Sequence, residues 1–339
     1  MTIRVSLLAG IALLLPALVQ PADAQSSRLD VVKARAILRC GVNPNFVGFS
    51  LPDNAGHWRG FDVDMCRAVA AAALGDAGKT QFIPLSAKDR FTALQSGDID
   101  MLARNASWTL GRNTKLGINF VATNFYDGQA FMVKAASGIK SVSDLNGASI
   151  CVIAGTDTER NLADFFSSRK MKFSTVAFEN ADNVTEAYLA GRCDAFINDG
   201  TQLAAVRMRT PDPKAHVVLP ESISMEPLAI SVRSGDDAWA NVVRWSFFAM
   251  LAAEELGLDS KNVRAKIVAS TNPAILRFAG KSEDLGALLA LDRDWAIRIV
   301  EQVGNYGEAY DRNIKPLGID RGLNRLWNDA GLMVAPPMR

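Results

Sequence analysis

The sequence predicts an α/β protein with two lobes in tandem, a cleft between them and a helical C-terminal part. Strand-like and helix-like segments alternate between residues 36 and 103, and a similar cycle restarts between residues 148 and 198. Two short apolar segments, residues 128–134 and 228–233, stand where the chain would pass between the lobes. Alternating strands and helices favour mainly parallel sheets, whose ligands bind beyond the carboxyl ends of the strands. The predicted site therefore lies between the lobes.

Each predicted element has a local signal in the sequence. Short apolar runs predict strands, and longer segments that end at glycine or a polar run predict helices. The first lobe is predicted to hold strands 36–42, 80–85 and 99–103 with helices 62–74 and 89–95; the second is predicted to hold strands 149–154, 172–178 and 195–198 with helices 158–169 and 184–190. Residues 236–339 are mostly helical in pattern and are expected to return to the first lobe.

The amino terminus predicts export. Arg4 precedes an apolar run over residues 5–19, and small residues at Ala22 and Ala24 flank Asp23. Together these features are typical of a cleavable signal peptide over residues 1–24, with a mature chain that begins at Gln25. A membrane anchor is the alternative, but the apolar run is short for a bilayer and no charge cluster follows it. The predicted location is the periplasm.

Composition excludes several classes of protein. The chain has 339 residues, 49% of them hydrophobic, with a formal net charge of +1, which argues against disorder and against a nucleic-acid partner. Its two histidines, His57 and His216, belong to no spaced metal motif. No nucleophile elbow, phosphate-binding loop or dinucleotide-binding glycine pattern is present. The sequence therefore indicates no metal and no cofactor.

Four cysteines follow the predicted signal peptide, and an oxidising compartment favours disulfides over free thiols. Four cysteines allow three pairings. Cys40 ends a predicted strand and Cys66 opens the next helix, while Cys151 lies on a later strand and Cys193 directly precedes another. These positions predict the pairs Cys40–Cys66 and Cys151–Cys193.

The segment GFDVDM at residues 60–65, with its following apolar positions, carries a family resemblance. We expect Asp62 to cap the helix and Phe61 to pack beneath it. The similarity continues in RNASWTLGR (104–112), FYDGQ (125–129), VGNYGE (303–308) and APP (335–337). Over nearly the whole mature chain the sequence resembles the extracellular solute-binding proteins of family 3, which are polar amino-acid receptors of ABC importers, and within them the general L-amino-acid-binding branch.

The resemblance implies the two-lobed periplasmic binding protein fold, with a hinge of two strands and a helical C-terminal extension. The expected first lobe spans residues 25–128 and 228–339, and the second spans residues 129–227. The implied function is capture of free L-amino acids with broad specificity and their delivery to an inner-membrane permease, by a monomer that is not an enzyme.

An α-amino acid carries a carboxylate and an ammonium, and each needs an opposite charge when it is buried. Arginine with helix N–H groups suits the carboxylate. The family's arginine matches Arg112, and residues matching Asn105 and Ser107 contact the amine and the carboxylate. A solvated loop arginine is the alternative for Arg112.

The second lobe offers Gly155, Thr156 and Asp157 at the start of a predicted helix, where the family completes its carboxylate site. Relatives carry Thr at the position of Asp157, so this chain places an extra carboxylate beside the cleft. A helix cap is the favoured interpretation of Asp157, and an altered ligand preference is the alternative.

Asp199 matches the family's acceptor for the ligand ammonium, with a loop or cap aspartate as the alternative. Phe46 matches an aromatic residue that packs on the ligand, although a core position is nearly as well supported. Asn43 stands where many members have Asp, which favours broad specificity.

An enzyme of the same fold is the alternative function. Periplasmic cyclohexadienyl dehydratases resemble these receptors and need a carboxylic general acid near the leaving hydroxyl. No motif in this sequence singles out such an acid.

Overall fold

The structure, a computed structural model, describes residues 27–339. The predicted signal peptide at 1–24 and the expected mature start at Gln25 lie outside the described residues. Within residues 27–339, no helix has both the length and the apolar character that crossing a membrane requires.

The first lobe is built on a five-stranded sheet. With strands numbered in chain order, it contains β1 (Leu38–Val42), β4 (Thr80–Pro84), β5 (Met101–Leu102), β6 (Ile118–Asp127) and β12 (Glu226–Arg233), in the spatial order β4-β1-β5-β12-β6. β1 is parallel to both β4 and β5, which confirms the predicted β-α-β-α-β unit. β12 is antiparallel to β5 and β6.

The second lobe is built on another five-stranded sheet. It contains β7 (Gln129–Lys134), β8 (Ala148–Ile153), β9 (Phe173–Phe178), β10 (Ala195–Asp199) and β11 (His216–Val218), in the order β11-β7-β10-β8-β9. β8 is parallel to β9 and β10, as predicted, and β7 is antiparallel to β10 and β11. A separate small hairpin pairs β2 (Leu51–Pro52) with β3 (Trp58–Arg59).

Two passages connect the lobes, and they lie just before the segments predicted to form them. Residues 128–134 are mostly β7 and residues 228–233 lie within β12, because apolar runs of this kind are buried inside sheets. The passages are the residues that precede each of these strands, at Gly128 between β6 and β7 and over residues 219–225 between β11 and β12. A Cβ on Gly128 would lie 2.1 Å from Ser222 Oγ and 2.8 Å from the Ser224 carbonyl oxygen. Only glycine lets the two passages approach so closely.

Helices cover both sheets and form the C-terminal extension. They are α1 (Arg28–Arg35), α2 (Phe61–Leu74), α3 (Arg90–Ser96), α4 (Leu110–Lys115), α5 (Thr158–Ser168), α6 (Ala181–Leu189), α7 (Gly200–Arg209), α8 (Asp237–Glu255), α9 (Val263–Ala269), α10 (Pro273–Phe278), α11 (Trp295–Gln302) and α12 (Tyr306–Asn313). α8, α11 and α12 all pack against the alanine-rich α2 and bury Trp239, Trp295 and Tyr306 in the core of the first lobe. These three helices of the C-terminal part therefore pack on the first lobe.

The start of α2 corrects one expectation. Gly60, with φ of 138°, is the capping residue of α2. The position requires glycine, because a Cβ there would lie 2.1 Å from the Phe49 carbonyl oxygen. Asp62 is the second helical residue, and its buried carboxylate accepts hydrogen bonds from Asn105 N at 3.1 Å and Asn124 Nδ2 at 3.3 Å. Asp62 is therefore not the helix cap, and it instead holds the loop after β5. Phe61 is fully buried, as expected.

Both predicted disulfides are present. Cys40–Cys66 joins β1 to α2, with 6.1 Å between the Cα atoms. Cys151–Cys193 joins β8 to the turn before β10, with 5.6 Å between the Cα atoms. Each bond therefore fastens a strand of its lobe to a neighbouring element.

Candidate functional site

A cavity of about 550 Å³ lies between the two sheets, within the range of small-molecule sites. Residues that follow strand ends of the first sheet, or that lie near them, contribute one wall, and residues at the ends of β8 and β10 contribute the other. The polar and charged side chains of these walls include Asn43, Arg90, Arg104, Asn105, Ser107 and Arg112 on the first, and Gln129, Thr156, Asp157, Thr158, Asn198, Asp199 and Gln202 on the second. The cavity therefore lies where the topology of open α/β sheets places ligands.

Six of the eight candidate ligand residues line this cavity: Asn105, Ser107, Arg112, Thr156, Asp157 and Asp199. Gly155 is in the same turn as Thr156 and Asp157, with φ of +77°, but does not itself line the cavity. Phe46 lies in the core, where it is 1% exposed and stacks on Phe49 with 4.3 Å between ring centroids. The core interpretation of Phe46 therefore agrees with its position.

Arg112 is held on a short helix at the edge of the cavity. Thr109 caps α4 by accepting a hydrogen bond from Arg112 N, and Arg112 Nη1 donates to the Ser107 carbonyl oxygen at 3.0 Å. The guanidinium lies 5.2 Å from the centroid of the Phe91 ring. Burial lowers the pKa of Arg112, and Asp157 opposes that effect. The side chain is thus packed and oriented, unlike a solvated loop arginine.

Asp157 contacts Arg112 from the opposite lobe. Its Oδ2 lies 2.6 Å from Arg112 Nη1. Asp157 precedes α5, but its side chain makes no capping hydrogen bond. The favoured interpretation of this residue as a side-chain cap was therefore wrong, because the neighbouring guanidinium attracts the carboxylate away from the helix.

Asp199 ends β10 and is only 6% exposed. Asn105 Nδ2 lies 3.5 Å from Asp199 Oδ2 across the cavity, and the side chain makes no capping hydrogen bond to α7. Burial raises the pKa of Asp199 well above its usual range, and the nearby carboxylates of Asp127 and Glu226 raise it further. A cation beside this carboxylate would oppose both effects and lower the pKa of Asp199.

Asp127 and Glu226, which sequence reasoning missed, lie at the two passages between the lobes and face each other in register. Asp127 accepts hydrogen bonds from Gly128 N at 2.8 Å and from the Thr201 hydroxyl. Burial raises the pKa of Asp127 to about 6. Each carboxylate ends or begins a strand, but no spacing in the sequence indicates that they meet.

Arg90 and Arg104 were also missed. Arg90 is 2% exposed, and its Nε has no hydrogen-bond partner among residues 27–339. Arg104 Nε donates to the Leu85 carbonyl oxygen at 2.8 Å. Burial lowers the pKa of both, that of Arg104 to about 10. Arg104 directly follows a buried strand, which is the one sequence signal that could have identified it.

The rim of the cavity adds further contacts between the lobes. Asn45 from the first lobe donates to the Asp182 carboxylate and accepts from Arg209 Nη1 at 2.8 Å. Lys88 Nζ lies 3.5 Å from Glu179 Oε1. Asn43 supports the floor by donating to Asn105 Oδ1 at 3.1 Å. In the part of the chain described here, no group of His, Cys, Asp and Glu side chains could hold a metal ion.

Two α/β lobes, joined by two passages and enclosing a cavity with opposed charges, define the class of two-lobed solute receptors. The profile of the bacterial extracellular solute-binding proteins, family 3, matches residues 38–261. The chain belongs to this family.

Individual proteins resemble the chain over most of its length. It is 48% identical to the general L-amino acid-binding periplasmic protein of Rhizobium johnstonii, over 93% of this chain and 94% of that one. It is 46% identical to the glutamate/glutamine/aspartate/asparagine-binding protein of Rhodobacter capsulatus, with the same coverage. A solved periplasmic binding protein of an ABC transporter from Brucella ovis, with glutathione bound, is 49% identical and superposes with a TM-score of 0.90 over 93% of this chain and 100% of that one.

Proposed function

We propose that this chain is the periplasmic substrate-binding component of an amino-acid ABC importer, which captures L-amino acids with broad specificity and delivers them to the permease. The observation that carries the proposal is the placement of Arg112 and Asp199 on opposite walls of one cavity. These side chains match the two charges that every free α-amino acid carries. The ligands named for the two relatives above support the same class.

The proposed carboxylate site combines Arg112 and Ser107 with the turn formed by Gly155, Thr156 and Asp157. This turn leads into α5, an eleven-residue helix. The free N–H groups at the start of a helix favour an anion, and a guanidinium can add two parallel hydrogen bonds. A ligand carboxylate between these elements would connect the two lobes.

The proposed ammonium site is Asp199, with Asn105 as a neutral neighbour. Asp199 is buried beside two other carboxylates, so an ammonium would stabilise its ionised form. Asn198 Nδ2 is a buried donor without a partner among the described residues. It lies on the same cavity wall as Asp199, where it would donate a hydrogen bond to a ligand oxygen.

Broad specificity follows from the remainder of the cavity. Asn43 contributes a neutral amide, and about 550 Å³ exceeds what the common α-carbon groups occupy. Recognition of those groups by Arg112 and Asp199 does not depend on the side chain. We assign Phe46 no contact with the ligand.

The proposed lobes are residues 27–128 with 226–339, and residues 129–225; the second boundary lies two residues before the expected one at 228, because Glu226 and Pro227 pair with β6 of the first sheet. The lobes would close about the passages at Gly128 and over residues 219–225. Closure around a ligand is the usual motion of receptors with this architecture.

The proposed setting is the periplasm, reached through a cleavable signal over residues 1–24. The partners are free L-amino acids and an inner-membrane permease complex. We propose a monomer without nucleic-acid binding, which the net charge of +1 supports.

We propose that the chain is not an enzyme. A dehydratase on this fold would need a carboxylic acid at a leaving hydroxyl. Incubation with prephenate and with arogenate, followed by absorbance of the aromatic product, tests this directly. Product formed in proportion to protein would support the enzyme instead.

A thermal-shift screen with the twenty L-amino acids, followed by calorimetry, tests the receptor. Several amino acids should raise the melting temperature, and the D-enantiomers serve as matched controls. A protein that no amino acid stabilises, or that binds a single one only, would contradict the proposal of a broad receptor.

A further inference from the structure

The partner of Arg112 comes from the lobe that faces it. Asp157 belongs to the turn between β8 and α5, whereas Arg112 belongs to α4 in the first lobe. Their 2.6 Å contact crosses the cavity at the position proposed for the ligand carboxylate. A carboxylate of the chain itself therefore occupies the place that a ligand would need.

The contact lacks the geometry of a complete ion pair. Arg112 Nη1 directs a hydrogen bond to the Ser107 carbonyl oxygen at 3.0 Å. Asp157 Oδ2 accepts no aligned hydrogen bond within residues 27–339. A ligand carboxylate that accepts parallel hydrogen bonds from the guanidinium and from helix N–H groups is a stronger partner.

Asp157 also has a route away from Arg112. Its side chain is 23% exposed, against 10% for that of Arg112, so it can turn toward solvent. Two carboxylates at one guanidinium repel each other, so a bound ligand and Asp157 exclude one another from this position.

We propose that Asp157 is a built-in competitor for the ligand carboxylate, which holds Arg112 in the free protein and leaves it when an amino acid binds. This inference rests on the proposed function, specifically on Arg112 as the carboxylate-binding residue. The Asp157 side chain thereby sets the affinity without itself contacting the ligand. Because only the fraction of protein with a free Arg112 can bind, the apparent dissociation constant rises by the reciprocal of that fraction.

The test is Asp157→Asn, which keeps the shape of the side chain and removes its charge. Affinities for leucine, glutamine and glutamate should all rise by the same factor, roughly tenfold if about one molecule in ten has Arg112 free. The ligand-free variant should also have a larger radius of gyration by small-angle scattering, since a contact between the lobes is lost. Asp164→Asn is the matched control, because Asp164 is an exposed carboxylate on the same helix.

A second variant, Asp157→Thr, places an uncharged residue with good N-cap preference before α5 and covers the case in which Asn destabilises the fold. Affinities that stay unchanged or fall in both variants overturn the proposal. A gain for glutamate alone also overturns it, because it would reflect charge repulsion within the cavity rather than competition.

The variant Arg112→Ala distinguishes failure of the proposed competitor role of Asp157 from failure of the proposed amino-acid binding. If wild-type protein binds amino acids and Arg112→Ala does not, while the Asp157 variants match wild type, only the competitor is refuted. If Arg112→Ala binds normally, the carboxylate assignment fails and the competitor fails with it. If no amino acid binds to wild type, the proposed function fails.

Discussion

Replacing Asp199 with Asn should weaken ligand binding and, at pH 7, raise the stability of the ligand-free protein. Asp199 is 6% exposed and lies beside Asp127 and Glu226, and its pKa is well above its usual range. The free protein therefore holds a carboxylate that is costly to ionise, and the proposed ligand supplies the missing cation. Asn keeps the shape and an acceptor oxygen but removes the charge.

The loss of binding can be estimated from the burial of this pair. Truncating one partner of a buried, hydrogen-bonded charge pair costs about 2–5 kcal/mol. This corresponds to roughly 30- to 5,000-fold in the dissociation constant. Since the α-ammonium is common to all ligands, leucine, glutamine and glutamate should weaken together.

The stability effect has the opposite sign. The folded-state pKa of Asp199 is raised above the unfolded value, so its contribution to stability is fully present below about pH 4 and is lost as the pH rises through the folded pKa. Asn removes that loss. Ligand-free Asp199→Asn should therefore melt at a higher temperature than wild type at pH 7, and the difference should shrink at pH 4.

The same titration predicts a pH dependence of binding. An ammonium binds the ionised carboxylate, so wild-type affinity should fall as the pH is lowered through the raised pKa, and the variant should show no such fall. Calorimetry between pH 5 and pH 7.5, with melting curves of ligand-free protein, measures both effects. Asp164→Asn controls for a change in net charge. Normal affinity together with a lower melting temperature would show that Asp199 is structural and would refute the reasoning.

Arg112→Ala should weaken all amino acids by about 2–5 kcal/mol, since their α-carboxylate is shared; near-wild-type affinity by calorimetry would contradict the assignment. Arg90→Gln should weaken glutamate more than glutamine, because Arg90 Nε is a buried donor without a partner among the described residues; equal losses would argue against a ligand contact by Arg90. Saturating leucine should reduce the radius of gyration more in Asp157→Asn than in wild type, because the free variant lacks one contact between the lobes; identical scattering with and without ligand in the variant would contradict closure.

The elements of the fold were predictable because their signals are local. Predicted strands such as 149–154 and helices such as 158–169 differ from the structure by a residue or two at their ends. Both disulfides followed from where each cysteine stands relative to a predicted strand or helix. Asp62 was misassigned because an aspartate near a helix start has the same pattern whether it caps the helix or bonds a distant loop. Only the fold places Asn105 N beside it.

Arg90 could not be predicted as a cavity residue from its neighbourhood. It opens α3 next to Phe91, where an arginine is ordinarily solvated, yet it is 2% exposed. Its position depends on how α3 packs against the first sheet beneath the second lobe. Such an arrangement involves contacts between residues far apart in sequence. Neither hydrophobic periodicity nor motif spacing in the sequence indicates it.

Three carboxylates, those of Asp127, Asp199 and Glu226, lie close together near the passages between the lobes. Their mutual repulsion destabilises the ligand-free protein and favours the binding of a cation. Asp127 ends β6, Asp199 ends β10 and Glu226 begins β12, so three separate strand ends bring carboxylates to one place. Hydrogen bonds from Thr201 and Gly128 to Asp127, and from Ser224 and Asn161 to Glu226, hold two of them. Asp199 has far weaker support and faces the cavity. The negative potential of the first two is thereby directed at the third, and an ammonium at Asp199 would relieve repulsion from all three.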